Sequence, residues 1–391
     1  MKILIASHTY IVDLNRQKLR ALSQLAPNIE VTAIVPQRWN PGGVQTNIIE
    51  TQFLQENTFQ VLPLSHLSQN NQGLLIFGAD LIQFLRQWRP DIIQIEQGSK
   101  ALTYTQFIFL NQILGLKAKN IFFTWWNLPY QLKWPISQIE AYNLRHTHGL
   151  VAGNQDAAEI LRHQGYTGPT LVAPQLGVDE TRFRPQPQPQ LKAQLGIAPE
   201  DFIIGFVGRF VEEKGLLTLA KALTTWQPNR NWKWLLLGRG PLHQTITAWA
   251  EENHLQQRLC IVESVPHDQV PNYINLMDVL ILPSETTDKF KTLTATGWKE
   301  QFGHVLIEAM ACQVPVIGSD SGEIPHVIGD SGLIFPEGDA TALQNCLTQL
   351  VDNPTLAKDL GQRGYQRAMS KYTNHALAQQ LLDFYQEIIS S

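Results

Sequence analysis

Phe202-Ile-Ile-Gly-Phe-Val207 runs directly into Gly208-Arg-Phe-Val-Glu-Glu-Lys-Gly215. The first stretch carries no charge and is rich in β-branched and aromatic residues, which marks a strand buried on both faces, as in a parallel sheet. Gly208 lets the backbone turn tightly, and Arg209 and Lys214 then place two cations at the start of an expected helix. Outward from this unit the same alternation of short apolar runs and longer amphipathic segments recurs, which predicts βα units and an α/β fold. In the second half the predicted strands are 201–207, 232–237, 259–262, 279–282 and 314–317. In the first half they are 2–7, 30–35, 91–95, 120–124, 149–152 and 170–173. Helices are expected over 15–25 and 156–164, the latter capped by Asn154 and ended by Gly165. A last helix over 374–389 presents Leu381, Leu382, Tyr385 and Ile388 on one face.

The alternation breaks at Arg184-Pro-Gln-Pro-Gln-Pro189. Prolines at alternate positions hold a chain extended and oppose helix, so this reads as a stiff linker. Two domains follow from it, residues 1–184 and 185–373, of similar size.

The 391 residues are 43% apolar and 16% charged, with a formal charge of −4. Such a chain is neither disordered nor fibrous, and it lacks the basic footprint of a nucleic-acid binder. Cys260, Cys312 and Cys346 show no metal-ligand or redox spacing, which fits a reducing compartment. The longest weakly charged stretch, 101–116, is interrupted by Thr, Gln and Asn and falls short of the ~20 apolar residues of a spanning helix. His8, Asp13, Asn15 and Arg16 follow the first apolar run too soon for a signal peptide. A cytoplasmic protein is expected.

In open parallel sheets ligands bind beyond the carboxyl ends of strands. A guanidinium clamps phosphate in bidentate fashion and an ammonium acts as a mobile point charge, so Arg209 and Lys214 suit a phosphate group. A second turn, Trp298-Lys-Glu-Gln-Phe-Gly-His-Val-Leu-Ile-Glu308, places Gly303 at a loop-to-helix junction. The N–H groups at such a terminus bind phosphate. Glu300 lies before that terminus, and Glu308 lies about one turn, ~6 Å, into the helix. An elongated nucleotide sugar fits this order, its sugar by Glu300, its diphosphate at the helix start and its ribose at Glu308.

Gly205 to Gly215, Leu237-Gly-Arg-Gly-Pro-Leu242, Glu300 to Glu308 and Cys312 to Gly322, continuing through Glu323-Ile-Pro325 and Gly332-Leu-Ile-Phe335, resemble the family 4 glycosyltransferases. The likeness covers nearly all of the second half in the family's order. It is looser in the first half, at 149–153 and at Pro174-Gln-Leu-Gly-Val-Asp179. The resemblance implies a GT-B fold, in which two Rossmann-like domains with parallel sheets face each other across a cleft. It also implies a nucleotide-sugar donor held mainly by residues 185–373, transfer with retention of configuration, and a last helix (374–391) that packs back on the first domain. Arg209, Lys214 and Glu300 then carry the chemistry, and Glu308 takes the ribose. Gly208, Phe302, Gly303, His304 and Val305 bring backbone to the sugar and phosphates. The base is expected near the turn Ser264-Val-Pro-His267, with Val265 as a contact.

The sequence departs from the family at several points. The loop after the first strand, Ser7-His-Thr-Tyr-Ile-Val-Asp13, lacks the glycine pair many members carry. A histidine common in the family is replaced by one of Trp125, Trp126 or Asn127. Acceptor-side candidates are therefore His8, Trp126, Asn127 and Asn154. Residues 285–297 form an insertion rich in Thr and Lys, read as a mobile flap over the donor. No Asp-x-Asp pair is present, and His146-Thr-His148 lacks a third ligand, so neither a metal nor another cofactor is expected.

The expected partners are the donor and a glycan or lipid-linked acceptor, as in polysaccharide or cell-envelope assembly, and no nucleic acid. The aromatic run 122–134 with Lys133 adds peripheral contact with the inner face of a membrane as a hypothesis. Two alternatives share the architecture: a nucleotide-sugar epimerase and a non-catalytic nucleotide-sugar binder. A dinucleotide oxidoreductase is set aside, because His243 stands where Gly238-Arg-Gly240 would need its third glycine.

Overall fold

The computed structural model describes residues 1–40, 48–68, 70–292 and 294–390. The chain divides into two units, Met1–Gly177 with Asn374–Ser391, and Val178–Thr373.

The first unit is built on an eight-stranded sheet. Its strands are β1 (Lys2–Ala6), β2 (Glu30–Pro36), β3 (Leu54–Glu56), β4 (Phe59–Leu64), β5 (Ile92–Ile95), β6 (Lys119–Thr124), β7 (Gly149–Ala152) and β8 (Thr170–Val172), in the order β8-β7-β6-β5-β1-β2-β4-β3. All neighbours are parallel except β3 with β4. β1, β5 and β7 are buried on both faces, which is why they read as unbroken apolar runs. The sequence missed β3 and β4. Phe59–Leu64 alternates buried and half-buried residues and contains Pro63, so it lacks the continuous apolar signal of the central strands.

The helix Asn374–Ser390 belongs to this unit, and Leu377, Leu381, Phe384, Tyr385 and Ile388 join its core. The Tyr385 hydroxyl donates to Gln94 Oε1 at 2.8 Å inside that core. Gly149 is seated under the helix, for a Cβ there would lie 2.2 Å from Ile388 Cδ1.

The second unit holds a six-stranded, wholly parallel sheet of β9 (Phe202–Val207), β10 (Trp232–Leu237), β11 (Leu259–Val262), β12 (Val279–Leu282), β15 (Val316–Ser319) and β16 (Leu333–Phe335). Its order is β11-β10-β9-β12-β15-β16. A separate antiparallel hairpin, β13 (Thr287–Lys291) and β14 (Thr296–Trp298), stands between β12 and β15 in the chain. Thus strand residues occur within the 285–297 insertion; its sequence is too polar to signal them.

The junction differs from the sequence reading. The chain changes unit at Gly177–Val178, not near residue 185. Val178 N donates to Tyr372 O at 2.8 Å, Phe183 is buried, and Asn275 bonds both Arg184 O and Gln186 N. The proline segment is thus strapped to the second unit. Pro189 opens a short helix, Pro189–Gln194, since the first helical position needs no N–H. The helix after Pro241 begins at His243, and Leu242 N donates to Phe210 O at 3.0 Å.

Candidate functional site

The site grows from the carboxyl ends of β9, β10 and β12 in the second unit. Val207 and Leu237 are paired ends of β9 and β10, and the turns that follow interlock. Gly208 N donates to Leu237 O at 3.0 Å, and Phe210 N to Arg239 O at 2.9 Å. A Cβ on Gly238 would lie 1.8 Å from Gly208 O, so this approach of two backbones requires glycine. The crossing fixes the path of Arg209. Its guanidinium is 57% exposed and lies 3.5 Å from the carboxylate of Glu213, which is buried.

Gly215, at φ +67°, closes the turn. A Cβ there would strike Pro283 O at 1.7 Å, so the turn is pressed against the end of β12. Glu285 N donates to Glu213 O at 2.9 Å and fastens it. Lys214 Nζ reaches Glu300 Oε2 at 2.5 Å, and the buried Ser284 hydroxyl donates to the same oxygen at 2.7 Å. Ser284 is in turn held by Ser319 Oγ, which donates to its carbonyl at 2.5 Å. Gly322 packs so closely that a Cβ would lie 2.0 Å from Glu300 O. Glu300 is therefore fixed by both its side chain and its backbone.

Gly303 adopts φ +82° and seats against Leu282 at the end of β12, where a Cβ would meet Leu282 Cδ2 at 2.6 Å. The helix His304–Ala311 starts there, with His304 and Val305 in its first turn. Phe302 is buried, 4.8 Å from the His304 ring and 5.7 Å from that of Tyr372. Arg209 and Gly303 thus stand on neighbouring strand ends of one sheet edge. Fixed cations and a helix terminus on one edge suit an anion.

Glu308 lies along the helix with its side chain 19% exposed, and His267 Nε2 is 3.7 Å from its Oε1. Bonding to Glu308 raises the His267 pKa above its ordinary value, against a smaller opposing effect of burial. Burial, with Glu308 adding to it, pushes the Cys312 thiol up to about 12, so Cys312 is inert packing. Val265 lies just beyond β11, half-buried.

In the first unit the acceptor-side candidates occupy the loops after β1, β6 and β7. His8 is pressed against Trp39, ring centroids 5.5 Å apart, and burial lowers its pKa to about 4. Trp126 donates its Nε1–H to Leu128 O at 2.7 Å, and its ring lies 4.3 Å from Lys100 Nζ. Asn127 is buried. Asn154 serves the fold. Its Oδ1 accepts from Ala157 N at 2.8 Å to cap the helix Gln155–His163, and its Nδ2 donates to Trp125 O at 3.1 Å. In the aromatic run, Phe122 and Phe123 are core, and Trp134 is 80% exposed.

His146 and His148 are likewise structural. His146 Nδ1 donates to Tyr142 O at 2.8 Å, and His148 Nδ1 accepts from Asn120 N at 3.0 Å. Among the described residues no three His, Cys, Asp or Glu side chains are grouped to hold a metal ion. No helix among them is long and apolar enough to cross a membrane.

Sequence reasoning missed Ser284 and Gly322 as supports of Glu300. The Ser-Asp-Ser-Gly322 run was legible only as part of the family's pattern, and nothing in the sequence shows that it closes on residue 300.

Residues 187–367 match the family described as glycosyl transferases group 1. The chain is 27% identical over 248 residues to N-acetyl-alpha-D-glucosaminyl L-malate synthase of Bacillus anthracis, covering 63% of this chain and 58% of that one. It is 28% identical over 190 residues to the capsular polysaccharide biosynthesis glycosyltransferase CapM of Staphylococcus aureus, covering 48% and 46%. The chain thus spans about half the length of the curated relatives it matches. Anabaena Alr3699/HepE in complex with UDP-glucose shares its fold at a TM-score of 0.68 and 16% identity, over 99% of this chain and 100% of that one. The fold is GT-B, and residues 187–367 match the group 1 glycosyl transferases, of the family 4 kind.

Proposed function

We propose that the protein is a retaining glycosyltransferase that moves a sugar from a nucleotide-sugar donor to a glycan or lipid-linked acceptor in polysaccharide or cell-envelope assembly. The observation that carries this reading is the gathering of Arg209, Lys214, Glu300 and Gly303 on one edge of the second sheet. Cleaving the sugar–phosphate bond leaves negative charge on the nucleoside diphosphate and an oxocarbenium-like sugar. Groups fixed where that charge develops lower the barrier. Arg209, Lys214 and the terminus at Gly303 meet the diphosphate, Glu300 the sugar, Glu308 the ribose and Val265 the base. No metal is required, since the positive charge comes from side chains and helix. Likeness to a chain solved with UDP-glucose and to a capsular polysaccharide glycosyltransferase supports the donor and the pathway class.

On the acceptor side we assign the first-unit loops bearing His8, Trp126 and Asn127. Lys133 and the exposed Trp134 suit contact with a membrane surface where lipid-linked acceptors reside.

The test is a thermal-shift screen of nucleoside diphosphates and their sugars, followed by transfer assays with the donor that binds. A cognate donor at a hundredfold excess over Kd raises stability by about 2.7 kcal/mol. Arg209→Ala is expected to cut transfer about a hundredfold and EDTA to change it little. Full activity in that variant would overturn the phosphate assignment. An epimer formed from donor alone, seen by NMR, would favour the epimerase instead.

A further inference from the structure

The hairpin β13–β14 has little apolar surface of its own. Four of the five residues of β13 are exposed, and an isolated two-stranded hairpin is marginal in water. Three contacts tie it to the turn 208–215. Glu285 N, at its base, donates to Glu213 O at 2.9 Å; the Lys289 ammonium pairs with Glu212; and Lys214 Nζ lies 5.2 Å from the ring centroid of Trp298. This Lys214 ammonium is the one that bonds Glu300 Oε2. The hairpin is thus fastened to the proposed diphosphate site at consecutive residues, 212, 213 and 214.

We propose that Trp298, on the second strand of the hairpin, is a positioning residue, whose indole face holds the Lys214 ammonium in place for the β-phosphate. The proposal rests on the reading of Lys214 as a diphosphate ligand. Its logic is electrostatic. A lysine side chain is long and flexible, and a point charge must be confined to bind one phosphate oxygen well. Glu300 confines it, but a carboxylate also neutralises it and competes with an arriving phosphate. An aromatic face attracts a cation through its quadrupole and carries no net charge. Trp298 therefore orients Lys214 without competing for its charge. The exposed Lys289–Glu212 pair is a tether of small energetic weight, with side chains 72% and 60% exposed.

The test uses the full chain and titration calorimetry with UDP and UMP, GDP and GMP, and ADP and AMP. For the base that binds best, the quantity read is Kd of the monophosphate divided by Kd of the diphosphate. Trp298→Leu, which keeps an apolar side chain and removes the quadrupole, is expected to lower this ratio about fivefold by weakening the diphosphate alone. Trp298→Phe should restore most of it, and Lys289→Ala should leave it within about twofold. Equal weakening of mono- and diphosphate in Trp298→Leu, or an unchanged ratio, overturns the proposal. If Arg209→Ala loses diphosphate binding while Trp298→Leu keeps its ratio, this inference alone falls. If the natural chain binds no nucleoside diphosphate, the donor reading falls first and this one with it.

Discussion

Nζ of Lys214 lies 2.5 Å from Oε2 of Glu300, 86 residues further along the chain. Both side chains are largely buried, 16% and 8% exposed, and Ser284 shares the same oxygen. A pair this enclosed is costly to break from one side, because the survivor keeps its charge and loses its partner. Lys214→Met is therefore expected to destabilise the fold by about 3 kcal/mol. Adding Glu300→Gln should recover much of that loss, as the stranded carboxylate is removed. Urea denaturation of the two single variants and the double variant gives the coupling directly, and strictly additive losses would show that the pair is not an energetic unit.

The legible and illegible parts of this chain divide along physical lines. Strands β5, β7, β9, β10 and β12 are buried on both faces and announce themselves as apolar runs, so the α/β class and the turn at 208–215 followed from sequence. The hairpin 287–298 and strand β4 have a wet or half-wet face, and their polar residues hid them. The junction was misplaced because the Pro-rich signal at 184–189 reports stiffness, not which unit the segment packs on. Glu300 and Glu308 were readable from their surroundings, but Ser284, Gly322 and Trp298 bear on the site only through contacts that sequence spacing does not encode.

Gly322 supplies a second prediction. At φ +52° it is strained for any other residue, and a Cβ would lie 2.0 Å from Glu300 O. Gly338 also has a positive φ, +71°, with nothing within 4 Å of a Cβ. Gly338→Ala should cost about 1 kcal/mol, the conformational penalty alone. Gly322→Ala should cost well over that and weaken nucleotide binding, because the backbone of Glu300 must move. Paired melting curves and nucleotide titrations check it, and equal losses would remove the argument from close approach.

Acid stability should report on His8. Burial lowers its folded pKa to about 4, while the unfolded chain takes up its proton near 6.5. Between those values the unfolded state binds more protons, so stability falls as pH drops from about 6.5 to about 4, by about 3 kcal/mol in all. His8→Phe should lack this component. The neutral ring also means that any part His8 plays with an acceptor involves no charge between pH 5 and 8, so transfer by His8→Asn should keep the natural pH profile even where its rate is lower. A slope in urea-derived stability unaltered by the Phe variant would show that His8 is not the group responsible.

His267 acts with the opposite sign. Bonding to Glu308 raises its folded pKa above the ordinary 6.5, so its stabilising effect is complete below that pH and is lost as pH rises through the raised value. The same titration should reach the nucleotide. Glu308 is the residue assigned to the ribose, and the charged imidazole, 3.7 Å away, competes for its oxygens. Raising pH through the His267 transition releases the carboxylate, so diphosphate affinity should tighten across that window while fold stability slightly declines. His267→Asn should flatten both trends. Calorimetry at half-unit steps from pH 6 to 8 separates them: affinity that loosens as the imidazole loses its proton would mean that His267 assists the nucleotide instead of competing with it for Glu308.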